Sequence, residues 1–189
     1  MKKIILSMAA SFLIAGAFAQ TVYKNDKLHS QLKFDITHTG VSTVSGSFTD
    51  FEATVTAAKT DFSDAVFQLT AKSASISTGV EPRDNHLKTD QFFDVATYPT
   101  LSFTSTSINK ISEGKYTLNG NLTMHGVTKP VTLDLWYRGT IDNPMSKKEV
   151  SGFRATGKIH RSDFGIGTKF PGTVVGEEVT ITADGEFSK

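Results

Sequence analysis

Apolar and polar residues alternate with a period of two along most of this chain, and this feature restricts its fold more than any other. The alternation is broken by Gly, Asn, Asp and Pro, and no long helical period follows residue 20. Strands with one apolar face must bury those faces against each other, so the pattern predicts an all-β domain. Eight such segments lie near residues 28–38, 51–55, 65–71, 101–103, 116–124, 131–137, 153–159 and 179–187.

Eight antiparallel strands of this kind fit either a sandwich or a closed barrel. The first segment is long, as a tilted barrel strand would be. Several glycines also lie inside strand-like segments, where barrels use Gly to bend. These are Gly46, Gly120, Gly152 and Gly157. One segment, residues 81–91, does not alternate. Pro82 stands where the first turn of a helix accepts proline, so we predict a short helix that lies across one end of the domain.

The N-terminus is typical of a secretory signal peptide. Lys2 and Lys3 precede an apolar run over residues 4–18, and Ala17-Phe18-Ala19 fits a small-x-small cleavage site. We therefore predict a signal peptide over residues 1–19, a single domain over residues 20–189, and a periplasmic or secreted protein. The alternative is a membrane anchor. The apolar run is shorter than the roughly 20 residues of a spanning helix, so we predict no stable membrane insertion.

Composition and spacing argue against several classes of function. Of the 20 Lys and Arg and 19 Asp and Glu, two Lys belong to the signal, so the remaining chain is nearly neutral. Nucleic-acid binding relies on a basic surface and is not predicted. The chain has no Cys, which excludes disulfides and thiol catalysis. The five His lack the spacing of known zinc motifs, although barrel closure could bring some together. No G-x-S-x-G elbow occurs, and we predict no cofactor, metal or catalytic residue.

Four motifs, in order along the chain, resemble those of the YceI-like family of secreted bacterial proteins. They are D-x-x-H-S-x-x-x-F-x-x-x-H-x-G (26–40), RDNHLKTDQFFDVATYPTLSF (83–103), GNLTMHGVTKPVTL (120–133) and HRSDFGIG (160–167). The resemblance covers nearly all of the chain after the signal. It implies an eight-stranded antiparallel lipocalin-like barrel, which favours the barrel over the sandwich. It also implies a long apolar ligand, such as a polyisoprenoid, inside that barrel, and it implies no catalytic residues.

From this resemblance we predict a periplasmic binding or carrier protein for a polyisoprenoid or similar lipid, and not an enzyme. The alternatives are an accessory protein for a membrane quinone or redox partner, a small lipid-modifying enzyme, and a filled barrel that serves only as an interaction module. Core and pocket use the same apolar residues, so the pattern does not say how much of the interior stays open. The predicted tunnel residues are Phe34, Ile36, Phe67, Leu69, Phe92, Phe93, Phe103, Leu122, Leu133, Leu135, Phe153 and Ile159.

A second set of side chains is predicted to hold the polar head of the ligand at the mouth of the barrel. Arginine can donate paired hydrogen bonds to phosphate or carbonyl oxygens. The alternative is architectural: Arg83 and Asp84 would brace a turn, and Arg161 and Asp163 would form an ion pair. The predicted mouth residues are Arg83, Asp84, His86, Arg161 and Asp163.

Trp136 has the parity opposite to Leu133, Leu135 and Tyr137, so we predict that it points outward. An exposed Trp beside Tyr and Arg can anchor a protein interface, and on this basis we predict a homodimer. The alternative is an isolated surface aromatic, which needs no partner.

Overall fold

The structure is a computed structural model that describes residues 19–189. The predicted signal peptide, apart from Ala19, lies outside the described residues. Eleven strands form one antiparallel sheet. They are β1 (Thr21–Asn25), β2 (Gln31–His38), β3 (Ser42–Phe48), β4 (Phe51–Ala57), β5 (Val66–Lys72), β6 (Ile76–Ser77), β7 (Thr100–Ser112), β8 (Lys115–Met124), β9 (Val127–Asp142), β10 (Glu149–His160) and β11 (Val175–Ser188). Helix α1 spans Glu81–Leu87, and 3-10 turns span Ser73–Ser75 and Arg161–Phe164.

The sheet closes on itself to form a barrel. The pairing runs β1–β4–β5–β7–β8–β9–β10–β11 and returns from β11 to β1. The three remaining strands continue three members of this ring: β2 continues β1, β3 continues β4, and β6 continues β5. The pairings show this, because β2 pairs with β3 just as β1 pairs with β4, and β3 pairs with β6 just as β4 pairs with β5. The barrel therefore has eight staves, of which β1/β2, β3/β4 and β5/β6 are each divided in two. The predicted eight-stranded lipocalin-like barrel with a short helix near one end is confirmed.

The three divided staves are interrupted side by side, at residues 26–30, 49–50 and 73–75. Between the first two staves the backbone ladder stops at the pair Lys24–Thr54 and resumes at the pair Leu32–Phe48. Within this interval the side-chain carbonyl of Asn25 accepts a hydrogen bond from the Ala53 backbone at 2.8 Å. The barrel wall thus has a local gap in its backbone pairing.

The alternation predicted from the sequence holds along the staves. Leu133 and Leu135 are buried, whereas Trp136, which follows Leu135 and has the opposite parity, is 40% exposed. Leu28 is the exception: it shares the parity of the inward residues but is 89% exposed. It lies in the 26–30 interruption, where the chain leaves the strand and parity no longer sets direction.

Two of the glycines predicted to bend strands also make room for inward rings. A Cβ atom on Gly46 would lie 2.3 Å from Phe34 Cζ, and one on Gly120 would lie 2.4 Å from Phe103 Cζ. Both rings can therefore lie against the wall. Gly152 fits the bending prediction, because the register between β9 and β10 shifts next to it.

The two ends of the barrel are built differently. The end that carries α1, called here the helix end, also carries the 39–41 and 125–126 turns and the 161–174 segment. The opposite end, called the far end, carries the 58–65 loop and the 113–114 and 143–148 turns. Among the described residues, no helix combines the length and hydropathy needed to cross a bilayer.

Candidate functional site

Two apolar cavities lie one behind the other inside the barrel. The inner cavity encloses about 120 Å³, and the helix-end cavity encloses about 310 Å³ beneath α1 and the 161–174 segment. Both linings are almost wholly apolar. The two cavities meet at one level, where their linings share four side chains. These are Phe34, Phe48, Met124 and Ile181.

All twelve predicted tunnel residues line one or both of these cavities. The inner cavity is lined by Phe34, Phe67, Leu69, Phe103, Leu122, Leu133, Leu135 and Phe153. The helix-end cavity is lined by Phe34, Ile36, Phe92, Phe93 and Ile159. The structure therefore brings the whole set together along one axis. That these residues bind a lipid stays a prediction.

The prediction missed several lining residues. Leu118 and Met124 share the parity of Leu122, so strand alternation could have identified them. Phe48 precedes a stave interruption, and Phe170 lies in a loop that closes over the helix end. Neither Phe48 nor Phe170 lies in a segment predicted as a strand, so alternation did not identify them.

Arg83 and Asp84 brace the start of α1 against Thr78. Arg83 Nε donates to Thr78 Oγ1 at 2.7 Å, and Arg83 Nη2 donates to Thr78 O at 3.2 Å. The Thr78 backbone N–H and hydroxyl donate to Asp84 Oδ1 at 2.8 and 2.5 Å. Burial acts to raise the pKa of Asp84, but the hydrogen bonds from Thr78 together with the nearby Arg83 and Lys88 outweigh it, and the pKa lies below its usual value. The architectural alternative thus describes these contacts, although Arg83 also lines the helix-end cavity.

His86 belongs to an aromatic group at the rim of the helix end. Its ring lies edge-on to Phe92 and Phe170, with centroids 5.0 and 5.8 Å away. Phe92 and Phe170 stack on each other at 4.9 Å. His86 Nε2 lies 3.2 Å from Gln91 Oε1. His86 therefore lines this cavity, and that it holds a ligand head stays a prediction.

Arg161 corrects the predicted polar mouth. It is only 3% exposed, and every nitrogen of its guanidinium donates to the protein's own chain. Its acceptors are Gly176 O, Ile166 O, Gly167 O, Phe170 O, Val175 O and Glu177 Oε1, at 2.5 to 3.0 Å. No donor remains for a ligand head, so Arg161 holds the 161–177 segment in place.

The architectural alternative, an Arg161–Asp163 ion pair, is also wrong. The carboxylate partner of Arg161 is Glu177, at 2.6 Å, and Asp163 is exposed and lines neither cavity. Asp163 stands in the 3-10 turn two residues after Arg161, whose side chain turns inward beneath the segment. Sequence proximity therefore misidentified the partner.

A third cavity, the side cleft, opens at the gap in the barrel wall. It encloses about 340 Å³ between the 27–33 and 47–51 segments. In contrast to the other two, its lining is mixed in polarity. Polar residues lie on both sides of the opening, and six residues are shared with the inner cavity. The shared residues are Ser30, Gln31, Leu32, Lys33, Phe48 and Phe51.

One group of side chains at the surface could supply three metal ligands. Single ligand atoms of Asp26, His29 and Glu186 lie within 4.8 Å of one another. His29 Nδ1 is already 2.9 Å from Asp26 Oδ2. This hydrogen bond raises the pKa of His29 and lowers the pKa of Asp26. A surface ion pair accounts for the arrangement without a metal.

Comparison with known proteins places these features in context. The family model for the YceI-like domain matches residues 23–187. Protein YceI of Salmonella arizonae is 36% identical over 193 residues, which cover 100% of both chains. A YceI protein of Campylobacter jejuni of known crystal structure is 30% identical, with a TM-score of 0.71 over 79% of this chain and 86% of that one.

Two more distant structures share the fold. BcnA of Burkholderia cenocepacia superposes with a TM-score of 0.76 and 24% identity, over 87% of this chain and 99% of that one. A polyisoprenoid binding domain of Saccharophagus degradans, implicated in plant cell wall breakdown, superposes with a TM-score of 0.63 and 15% identity. That alignment covers 88% of this chain and 97% of that one.

Proposed function

The chain belongs to the YceI-like family, and from this premise we propose that it is a periplasmic carrier that holds a polyisoprenoid or a similar long-chain lipid inside the barrel. The observation that carries the proposal is the pair of apolar cavities that meet at Phe34 and Phe48. A flexible hydrocarbon chain is the ligand that fits two narrow apolar cavities in line. The polyisoprenoid-binding description of the Saccharophagus degradans domain supports the same ligand class.

Burial of apolar surface supplies the binding free energy in this proposal. Removing hydrocarbon from water contributes on the order of 25 cal/mol per Å². The inward Phe and Leu side chains offer such surface without any chemical step. The barrel would therefore act by sequestering a chain from water, and the protein is proposed as a binding protein and not as an enzyme.

Filling the inner cavity tests the proposal. Leu135 lines that cavity and is buried, so Leu135→Trp places extra bulk in the path of the chain. We expect wild-type protein to yield a lipid on organic extraction, detected by mass spectrometry, and Leu135→Trp to yield much less. In an open cavity the variant should keep much of its stability without lipid, whereas overpacking a filled core would cost about 1–3 kcal/mol. The matched control is Asp134→Trp, which adds the same side chain to the exposed face of the same strand.

The control variant should keep the lipid. If wild-type protein carries no lipid and binds none of a panel of isoprenoids and fatty amides, the carrier proposal fails. A filled barrel would behave differently from a carrier, since Leu135→Trp would lower its melting temperature with no lipid to lose.

We further propose that the protein reaches the periplasm or the medium after cleavage near Ala19. The support is the pattern of Lys2, Lys3 and the apolar run that ends in Ala17-Phe18-Ala19. Intact-mass measurement of the exported protein should give a chain that begins at Gln20. An exported chain that retains Met1 would contradict the proposal.

A homodimer through the face that carries Trp136 is also proposed. Trp136 is exposed, as its parity predicted, with Lys115 Nζ 3.7 Å and Arg138 Cζ 4.8 Å from its ring centroid. These cations cover part of the ring, so an isolated surface aromatic remains the competing explanation. Sedimentation at micromolar concentration should show a dimer in wild type and a monomer in Trp136→Ala. A monomeric wild type would remove this part of the proposal.

A further inference from the structure

We infer that the polar head of the ligand lies in the side cleft, hydrogen-bonded to Ser30, while its hydrocarbon chain runs through the inner cavity toward the helix end. The head group would be an uncharged oxygen function, a hydroxyl or a carbonyl. This inference rests on the proposed lipid binding and assigns the ligand an orientation opposite to the one predicted from the sequence.

Ser30 provides the first observation. It is 9% exposed, and its hydroxyl oxygen is buried with no hydrogen-bond partner among residues 19–189. A buried hydroxyl left without a partner costs about 1–3 kcal/mol. Two other buried serines have partners, since Ser105 Oγ accepts from the Phe67 backbone at 2.9 Å and Ser151 Oγ lies 2.6 Å from Thr140 Oγ1. Among the buried serines of the described residues, Ser30 is the one whose hydroxyl oxygen is both buried and without a partner.

The position of Ser30 provides the second observation. It is one of the residues that line both the side cleft and the inner cavity, so it stands where polar and apolar space meet. The cleft opens where the backbone ladder between the first two staves is interrupted. Asn25, at the start of the same interruption, also has a buried side-chain nitrogen without a partner among the described residues. Two unused polar groups therefore lie at the two ends of the same stave interruption.

The helix end offers less to a polar head. Arg161 has no donor to spare, and Arg83 is held by Thr78 through Nε and Nη2, which leaves Nη1 as its one nitrogen without a partner among the described residues. The rest of that lining is dominated by side chains such as Ile36, Phe92 and Phe93. This end is suited to the hydrocarbon tail.

The buried inner part of the cleft favours an uncharged head, whereas its exposed part carries one cation, Lys33, that forms no ion pair among the described residues. Lys27 Nζ lies 3.1 Å from Glu52 Oε1, and Lys72 Nζ lies 2.5 Å from Asp50 Oδ2. Ser30 lines both the cleft and the inner cavity, and its hydroxyl can both donate and accept a hydrogen bond. A desolvated phosphate there would lack a buried cation, and burying an unpaired charge is far more costly than burying a hydroxyl.

Farnesol and farnesene carry similar chains with and without a hydroxyl, and farnesyl phosphate adds an anionic head. Their dissociation constants would be measured with wild-type protein, Ser30→Ala, Ser105→Ala and Arg83→Ala. We expect Ser30→Ala to weaken farnesol about fivefold to tenfold, the effect of one lost hydrogen bond, and to leave farnesene within about twofold. Its melting temperature should not fall, because the hydroxyl has no partner in the free protein.

The other variants separate the possible outcomes. Ser105→Ala should lower the melting temperature, because the Phe67 N–H loses its acceptor, and should keep the ratio of farnesol to farnesene affinity. Arg83→Ala should also keep that ratio. If Ser30→Ala keeps the ratio, or if Arg83→Ala abolishes it, the head does not lie in the side cleft. Preferential binding of farnesyl phosphate to wild type would overturn the uncharged head group. If wild type binds none of the three compounds, the proposed lipid binding itself fails. If wild type binds them and Ser30→Ala changes nothing, only the position of the head group is wrong.

Discussion

Phenylalanine rings fill the barrel at the far end, whereas at the helix end they line a cavity. At the far end, Phe62 is 2% exposed and packs on Tyr23, Tyr137 and Phe153, with centroids 5.3, 5.0 and 4.9 Å away. At the helix end, Phe92 and Phe170 stack on each other and leave a cavity of about 310 Å³ below them. Aromatic content therefore does not distinguish a plug from a cavity wall.

The backbone that carries the rings makes the difference. Phe62 has a φ of 57°, a left-handed conformation that is uncommon for a residue other than glycine. Its loop thereby turns the ring into the lumen. At the helix end, the bonds from Arg161 to five backbone carbonyls hold the 161–177 segment as a roof. One end depends on apolar packing and the other on a buried polar clamp.

Removing the Phe62 ring, which fills the far end, should have the largest effect on stability. Phe62→Ala deletes a buried ring from the aromatic cluster, and we expect the free energy of unfolding to fall by about 3–5 kcal/mol. Denaturant unfolding would measure the loss. The control is Val66→Ala, a partly exposed position close by in the chain, which should cost much less. A loss below about 1 kcal/mol in Phe62→Ala would mean that the far end is not held by this packing.

Weakening the hydrogen bonds that Arg161 donates to the 161–177 segment should have the next largest effect on stability. Arg161→Lys keeps the charge but cannot reproduce the planar fork, so several carbonyls lose their donor. We expect a loss of about 2–3 kcal/mol, comparable to one or two hydrogen bonds to a charged group. Hydrogen exchange should accelerate in the 161–177 segment and not at the far end. Arg154→Lys, at an exposed position of β10, serves as the control and should change stability by less than about 0.5 kcal/mol. If hydrogen exchange in Arg161→Lys accelerated equally throughout the barrel, Arg161 would not act locally on the 161–177 segment.

Acidification should affect both ends, and it is the smallest of the three effects. At the far end, hydrogen bonds from Ser63 and the nearby Lys110 lower the pKa of Asp61. At the helix end, hydrogen bonds from Thr78 help to lower the pKa of Asp84 against the opposing effect of burial. A carboxyl whose pKa is lower in the folded state adds stability above its unfolded value of 3.8. That contribution is lost as the pH falls through the folded-state pKa.

The matched variants are Asp61→Asn and Asp84→Asn. Each should be less stable than wild type at neutral pH, and the difference should shrink as the pH falls below about 3.8. Thermal melting across a pH series would measure this convergence. Differences that stay constant with pH would show that the two carboxylates contribute nothing through ionisation.

Several features could be predicted from local patterns. The parity of Leu133, Leu135 and Trp136 assigned the inner and outer faces of β9, and Pro82 marked the start of the only α-helix among residues 19–189. The patterns failed where the chain leaves regular structure. Leu28 is exposed because it lies in a stave interruption, and Arg161 binds Glu177 and not the nearer Asp163.

The sequence by itself determined eight of the eleven described strands, their inward faces and the family, because a period of two and the motif residues are properties of short stretches of chain. It did not predict β1, β3 or β6. Tertiary structure alone decided which aromatics plug the lumen, which line a cavity and which polar groups stay unpaired. Phe62 meets Phe153, and Ser30 faces Gly185, where an added Cβ would lie 2.3 Å from the Ser30 hydroxyl. These partners stand far apart in the chain, so only barrel closure brings them together and sets the space left between them.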